Sequence, residues 1–458
     1  MQPNIILINC DDLGYGDLGC YGSTRNDTPN LDRLASEGCR FTDFYMASPV
    51  CSPSRGAMMT GCYPPRIGFG DFDGSPVLFP GHAVGLNPEE MTLPRVLKNA
   101  GYATAHVGKW HCGDQPEFLP TRHGFDHYFG LPYSNDMGRQ AGKGPNTPPL
   151  PLLRDETVHQ QQPDQRGLTE RYTDECLQFI EENKDGPFFL YLAHMYVHVP
   201  LFVPQPFLEA SRNGGYGGAV ACIDWSAGVL MHKLRELGIE NDTLIIFTSD
   251  NGSRNGDEGG SNAPCRGTKA TTWEGGQRVP CIMRWTGRIP AGTTCDAVTR
   301  SIDLFPTLTT IAGGSNPQAD THPIDGVDLS VLLGDPTAPP PNDTFAYYWM
   351  NQLEAVRVGD WKLHFRKKQE PLDALYHLRD DPGEAHNRFA DEPEVVEQLN
   401  AFADRVREEL GDAALELEGH ARRPAGRVDN PKPLAEYDEN HPYIVASYDR
   451  ADMPTMVG

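Results

Sequence analysis

Two oxygen-rich pairs and one cysteine carry the chemistry that can be read from this chain. Asp11-Asp12 directly follow an apolar, strand-like run at residues 5–9, and Asp250-Asn251-Gly252 follow a second such run at 243–248. Adjacent carboxylates repel, so a bound cation is one reason to set them together, and a helix cap or turn is the other. In a parallel sheet both groups lie at the same edge. Three carboxylates and an amide oxygen form a hard cage that suits calcium or magnesium rather than zinc. Asn251-Gly252-Ser253 is also a formal glycosylation sequon, but a buried metal ligand could not carry a glycan. The string Cys51-Ser52-Pro53-Ser54-Arg55, continuing as Gly56-Ala57-Met58-Met59-Thr60-Gly61, sets a reactive side chain at a helix start with Arg55 one turn on. A helix N-terminus and an arginine together favour an anion there. The plainer alternative is a buried cysteine beside a Pro-initiated helix.

The C-x-P-S-R-x-x-x-x-T-G string resembles the signature of the type I, formylglycine-dependent sulfatases of the alkaline phosphatase superfamily. The resemblance extends along nearly the whole chain, in the family's order. It takes in Asp11-Asp12-Leu13-Gly14-Tyr15-Gly16-Asp17, then Gly108-Lys109-Trp110-His111, then His198-Val199-Pro200 after the apolar run 188–192. It continues through Ser249-Asp250-Asn251-Gly252 and ends with Lys269 inside the stretch 266–276. The segments 130–136 and 259–262 look closest to the arylsulfatase A and N-acetylgalactosamine-6-sulfatase branch. Two departures stand out: Lys269 sits in Gly-Thr-Lys-Ala rather than the commoner Gly-Gly-Lys-Gly, and Cys112 follows His111 where an apolar residue is usual.

The resemblance implies that Cys51 is oxidised to formylglycine (3-oxoalanine) by a formylglycine-generating enzyme, a partner in maturation. It implies Asp11, Asp12, Asp250, Asn251 and the modified Cys51 as ligands of one Ca2+. Hydrated formylglycine carries two hydroxyls on one carbon: one attacks sulfur, and the other expels sulfate as the aldehyde re-forms. Arg55 and Lys109 are expected to support this group, with Lys269 and Lys109 on the sulfate. His111 is expected to hydrogen-bond the nucleophile, and His198 to protonate the leaving oxygen, a task for a group that titrates near neutrality. His194, at the same strand end, is the other candidate donor, but His198 alone precedes x-Pro. Ser134 is a candidate substrate-binding residue, with Asp136 beside it, against an ordinary turn.

The elements that must position these residues alternate. Strand-like runs at 5–9, 102–107, 187–192 and 243–248 are separated by helical patterns at 29–37, 93–99, 168–180 and 220–237. That alternation predicts an α/β fold, a large mostly parallel sheet sandwiched by helices with ligand sites at the strands' carboxyl ends. The Pro- and Gly-rich segment 138–163 reads as a long surface loop. After a Pro-rich break near 334–343, short strands at 345–348, 355–358 and 361–365 and a helix at 392–410 predict a smaller C-terminal α+β subdomain. The expected organisation is a catalytic domain at 1–335, a small sheet-plus-helix subdomain at 336–424 and an extended tail at 425–458. Loops 70–90, 130–165 and 205–217 are expected to shape the substrate pocket.

The net charge is −24, from 39 basic and 63 acidic residues, which argues against a nucleic-acid partner. It also means that an anionic substrate needs a local cationic pocket or a metal. No apolar run is long enough to span a bilayer, and the start lacks the pattern of a signal peptide. As it stands the sequence reads as cytoplasmic, or as periplasmic or secreted with a leader trimmed. Eleven scattered cysteines without a CxxC pair suggest neither zinc nor thioredoxin chemistry; the ten besides Cys51 could pair, but a reduced compartment fits the missing leader better. Nothing in the sequence speaks to oligomeric state. The expected function is hydrolysis of aryl or carbohydrate sulfate monoesters. The alternatives are a phosphonate monoester or phosphodiester hydrolase with the same nucleophile, and a binding protein whose Cys51 never matures.

Overall fold

The computed structural model describes residues 2–140, 143, 147–254, 258–368 and 370–443. In chain order the first strands are β1 (Asn4–Cys10), β2 (Cys39–Tyr45), β3 (Val84–Gly85), β4 (Ala103–Gly108), β5 (His127–Gly130), β6 (Pro151–Arg154), β7 (Thr157–Gln161), β8 (Phe188–Ala193), β9 (Thr243–Ser249), β10 (Arg278–Arg284), β11 (Thr293–Cys295) and β12 (Thr299–Arg300). All but β3 join one sheet in the order β11-β2-β10-β9-β1-β8-β4-β5-β6-β7, with β12 also beside β2. The centre, β9-β1-β8-β4-β5, is parallel, and antiparallel pairs enter at β10 and at the β5–β6–β7 edge.

The central strands are apolar on both faces because both faces are covered. Along β1, Ile6, Ile8 and Cys10 enter one core while Ile5 and Leu7 enter the other. The first core takes helices α1 (Pro29–Ser36), α4 (Leu168–Asn183) and the helix Gly214–Glu236; the second takes α2 (Cys51–Thr60), α3 (Leu93–Asn99) and the helix Leu304–Ile311. Each buried Ile, Leu or Phe contributes roughly 1.5–3 kcal/mol, so the doubly covered sheet gives the site a rigid floor.

Three features differ from the sequence expectation. The segment 138–163 is not one long loop: β6 and β7 within it form a hairpin that extends the sheet edge. Residues 141–142 and 144–146 of that segment lie outside the described residues. The sheet also gains β2 and β10, which the apolar pattern did not reveal. The tail from 425 is docked rather than extended: in a short antiparallel ladder Gly426 and Arg427 pair with Gly85 and Val84 of β3. Its residues 444–458 lie outside the described residues.

The C-terminal region forms a four-stranded antiparallel sheet, β13 (Thr344–Trp349), β14 (Gln352–Val358), β15 (Trp361–Lys367) and β16 (Glu370–His377), covered by the helix Pro393–Leu410. Its core is shared with the main sheet, since Tyr45, Ala47 and Ala57 pack with Phe345, Tyr347 and Leu363. No disulfide joins any of the eleven cysteines. Among the described residues no helix is long and apolar enough to cross a membrane.

Candidate active site

Four neighbouring parallel strands deliver the site. Asp11 and Asp12 follow β1, Asp250 and Asn251 follow β9, Lys109 and His111 follow β4, and His194 and His198 follow β8. The turns are locked to one another: the Asp11 amide donates to Tyr196 O (2.8 Å), and the Lys109 amide to Ala193 O (2.8 Å). Gly108 makes the second contact possible. Its φ is +111°, and a Cβ there would lie 1.8 Å from Ala193 O, so only glycine fits. Non-glycine residues held at positive φ also gather here, at Asp12 (61°), His111 (61°) and Ala270 (63°). Such backbone costs about 1–2 kcal/mol per residue and persists where the surroundings fix it.

Cys51 is the first residue of α2, and all ten residues of that helix are buried. Cys51 Sγ lies 3.3 Å from Asp11 Oδ1. Arg55, one turn on, reaches Asp250 Oδ2 through Nε and Nη2 (both 2.8 Å) and Lys109 O through Nη1 (2.7 Å). Lys109 Nζ is paired with Asp11 Oδ2, and Lys269 Nζ grips Asp12 at 2.9 and 3.0 Å. Three carboxylates thus face three cations, all buried. Burial pushes against ionisation at Asp11, yet Lys109, His198 and Arg55 hold its carboxyl well below the usual range. At Asp250, burial and the neighbouring Asp11 win over Arg55 and push the carboxyl up. Burial and Asp11 also push the Cys51 thiol up, so the encoded side chain is a neutral thiol rather than a thiolate.

The ligand atoms of Asp11, Asp12, Cys51 and His198 lie within 4.8 Å of one another. Asn251 Nδ2 donates to Asp12 Oδ1 (2.7 Å), which leaves Asn251 Oδ1 buried without a hydrogen-bond partner. An orphaned amide oxygen beside carboxylates fits a hard cation. Asp250 stands slightly apart, with one oxygen held by Arg55 and the other 3.3 Å from the Asp12 amide. Asn251 and Ser253 are both buried, which excludes a glycan on that sequon in the folded chain.

The histidines separate clearly. His198 Nδ1–H donates to Val199 O (2.6 Å), so Nε2 is the nitrogen presented to the site, 3.8 Å from Asp12 Oδ2. Burial and Lys269 pull its pKa down, against Asp12 and Asp11. His194 is fully buried with both ring nitrogens unpartnered, and burial holds it down to about 3, so it is a neutral core residue. His111 does not bond the cysteine: its Nε2–H donates to Leu78 O (2.9 Å), and Nδ1 has no partner. Ser134 Oγ lies 3.4 Å from His198 Nδ1.

These groups open onto a cavity of about 270 Å3, lined by Cys51, His111, His198, Lys269, Ser134 and Asp136 among others. Sequence reasoning missed Arg254 and Trp349 in that lining, and it expected residues 205–217, which do not contribute. Loop 70–90 does contribute, through Pro76, Val77 and Phe79.

The sulfatase family matches residues 3–314. The chain belongs to the sulfatase family. The C-terminal family of N-sulphoglucosamine sulphohydrolase matches residues 268–410. Among curated relatives, human (Homo sapiens) arylsulfatase A is 39% identical over 446 residues, covering 87% of this chain and 86% of its own. N-acetylgalactosamine-6-sulfatase of Sus scrofa is 42% identical over 430 residues, covering 83% and 81%. This sulfatase is thus related to sulfate ester hydrolases, in the branch the sequence resembled. A solved sulfatase from Pseudoalteromonas sp. superposes with a TM-score of 0.79 at 28% identity, covering 89% of this chain and 91% of that one. The phosphonate monoester hydrolase of Agrobacterium radiobacter shares the fold alone, with a TM-score of 0.62 at 20% identity over 88% of this chain and 95% of that one.

Proposed function

We propose that this sulfatase hydrolyses sulfate monoesters of small molecules or carbohydrates, with Cys51 matured to formylglycine and one Ca2+ bound beside it. The observation that carries the reading is Cys51 at the buried start of α2, 3.3 Å from Asp11 and ringed by Arg55, Lys109 and Lys269. The modified residue would supply a hydrated aldehyde as the nucleophile, at the place where Cys51 Sγ stands.

Asp11, Asp12 and Asn251 Oδ1, with Asp250 nearby, would hold the calcium, which supplies positive charge against the sulfate oxygens. Three carboxylates against three cations leave the protein groups near neutral, so a divalent ion makes the pocket positive within a chain of net charge −24. Lys269 and the α2 N-terminus then bind the anion. Lys109 keeps Asp11 ionised, and Arg55 orients Asp250. His198 holds a proton on Nδ1 against Val199 O and presents Nε2 to the leaving oxygen. A singly charged ester arriving beside it offsets the depressing effect of Lys269 and favours the imidazolium that can donate from Nε2.

The test is turnover of 4-nitrophenyl sulfate beside a nitrophenyl phosphonate monoester, by protein matured with the formylglycine-generating enzyme and with Cys51→Ala as the blank. Preference for the sulfate is the expected result. Preference for the phosphonate would overturn the substrate class.

A further inference from the structure

Among the described residues no part of the tail after 422 lines the cavity, yet the tail is tied to segments that do. Val77 and Phe79 of loop 70–90 line it, and Leu78 between them clamps two further segments. The Leu78 amide donates to Ser52 Oγ (3.1 Å), next to Cys51, and its carbonyl accepts His111 Nε2–H (2.9 Å). The seat of this loop therefore sets one cavity wall and the His111 ring together.

The tail holds that loop from outside. Gly426 and Arg427 pair with Gly85 and Val84, the Val428 amide donates to Ala83 O (2.9 Å), and Asn87 Nδ2 donates to Pro424 O (3.1 Å). Ion pairs frame the ladder: Arg423 with buried Glu90 (2.7 Å) and exposed Arg427 with Asp73 (2.7 Å). A Cβ at Gly426 would lie 2.6 Å from Phe118 Cε1, so glycine lets the tail reach this buried ring. The Phe118 carbonyl in turn accepts Trp110 Nε1–H (2.8 Å), between Lys109 and His111. Further on, the Lys432 amide donates to Gln115 Oε1 and Gln115 Nε2 donates to Lys432 O, both 2.9 Å. That fastens the tail to the segment just after His111. The Tyr437 ring then lies under Arg139 (4.2 Å), two residues past Met137 of the cavity lining. Ordering a tail costs conformational entropy, and the bonds that offset it here fall on loop 70–90 and on Gln115.

We propose that residues 423–437 form a positioning strap. Seated on loop 70–90 and Gln115, they fix Leu78 and through it the His111 ring and the cavity wall. The strap touches no reacting atom. Its kinetic consequence rests on the sulfatase reading above; its mechanical coupling to Leu78 does not.

Three full-chain variants test this. Gly426→Val drives a side chain against Phe118 and unseats the strap. Arg427→Asp sets two carboxylates against each other, and adding Asp73→Arg restores the pair in reverse. One readout is hydrogen–deuterium exchange of the peptide containing Leu78; the other is 4-nitrophenyl sulfate turnover by matured protein. Gly426→Val should speed exchange at Leu78 about tenfold while β1, β8 and β9 keep their protection, and lower kcat/KM by roughly tenfold. Arg427→Asp should move both readouts about twofold, and the double variant should return them to wild type. Faster exchange confined to the tail, or faster exchange at Leu78 with wild-type kcat/KM, would overturn the proposal and leave the sulfatase reading intact. Should Gly426→Val loosen β1, β8 and β9 as well, the charge swap decides: recovery in the double variant supports the strap, and no recovery overturns it. Wild type inert on the sulfate, with the exchange results as expected, would overturn the sulfatase reading and leave the coupling standing.

Discussion

Asp11 and Asp12, Asp250, Lys109 and His198 stand on the ends of four adjacent parallel strands, whereas Lys269 stands on a loop that leans on a second sheet. The strand ends are fixed by ladders within one core, so their side chains need little else to hold register. The loop 266–277 has no ladder at Lys269 and is held by buried charge instead. Lys362 of β15 contacts Thr272 O (2.9 Å), Glu274 (2.9 Å) and Glu384 (3.0 Å), and Glu384 accepts the Glu274 amide (2.7 Å). Tyr45 and Tyr347 donate to the same Glu274 carboxylate, and Arg266 stacks over Trp273 at 3.8 Å. One side of the site is therefore a product of topology, and the other depends on polar pairs between distant segments. The C-terminal sheet is what lends Lys269 its support.

Substitutions can break the two sides separately. Asp11→Asn should have the largest effect: it removes a carboxylate from the proposed calcium cage and leaves Lys109 as a buried unpaired charge. Turnover should fall by about a thousandfold or more, and stability by roughly 3–5 kcal/mol, read by kinetics and denaturant melts. Lys362→Met leaves Glu274 and Glu384 facing each other without their shared cation, so a stability loss of similar size is expected, roughly 3–5 kcal/mol. Its kinetic signature should differ, with KM rising as Lys269 shifts while kcat survives better than in Asp11→Asn.

The same network gives a pH test. Burial opposes ionisation of Glu274, but Lys362, Arg278 and Arg357 hold its carboxyl down to about 2 against the ordinary 4.5. A depressed carboxylate stabilises the fold above its unfolded value and loses that contribution as pH falls through the folded one. The stability gap between wild type and Lys362→Met should therefore be full above pH 4.5 and narrow as pH falls toward 2. The proposed calcium would act on the strand-end side. Chelation should abolish activity and lower the melting temperature, with about 2.7 kcal/mol at stake when free calcium is a hundred times its Kd. Failure of added calcium to restore either property would count against the cage.

The smallest effect concerns the departure at Ala270. The family's usual glycine there is explained by the backbone, since Ala270 sits at φ +63° with its amide on Pro49 O (2.9 Å). Ala270→Gly should stabilise by about 1 kcal/mol, measured as a shift in denaturant midpoint. The second departure is absorbed by packing, because Cys112 is buried in the apolar core like the residue it replaces.

Much of the strand-end side was legible because its signals are local. Apolar runs of six or seven residues end directly in Asp-Asp, Asp-Asn or Gly-Lys, and a parallel sheet brings such ends to one edge. His198 is separable from His194 by the following x-Pro, and in the structure His198 lines the cavity whereas both ring nitrogens of His194 lack a hydrogen-bond partner. The other side was not legible. Glu274 and Lys362 are 88 residues apart, and nothing local marks either as buried. Strand β10 contains Pro280 and a register shift between Val279 and Cys281, so its sequence reads as a break. Trp349 and Arg254 have no motif context at all; only the fold brings them to the cavity.

On the proposed mechanism the active nucleophile is a modified Cys51 and not its thiol. The most direct measurement titrates 4-nitrophenyl sulfate turnover against the fraction of chains carrying the aldehyde at Cys51, quantified by peptide mass spectrometry across preparations matured to different extents. Activity proportional to that fraction, extrapolating to zero for the pure thiol, is the predicted result. Full activity in protein whose Cys51 is entirely thiol would contradict the account.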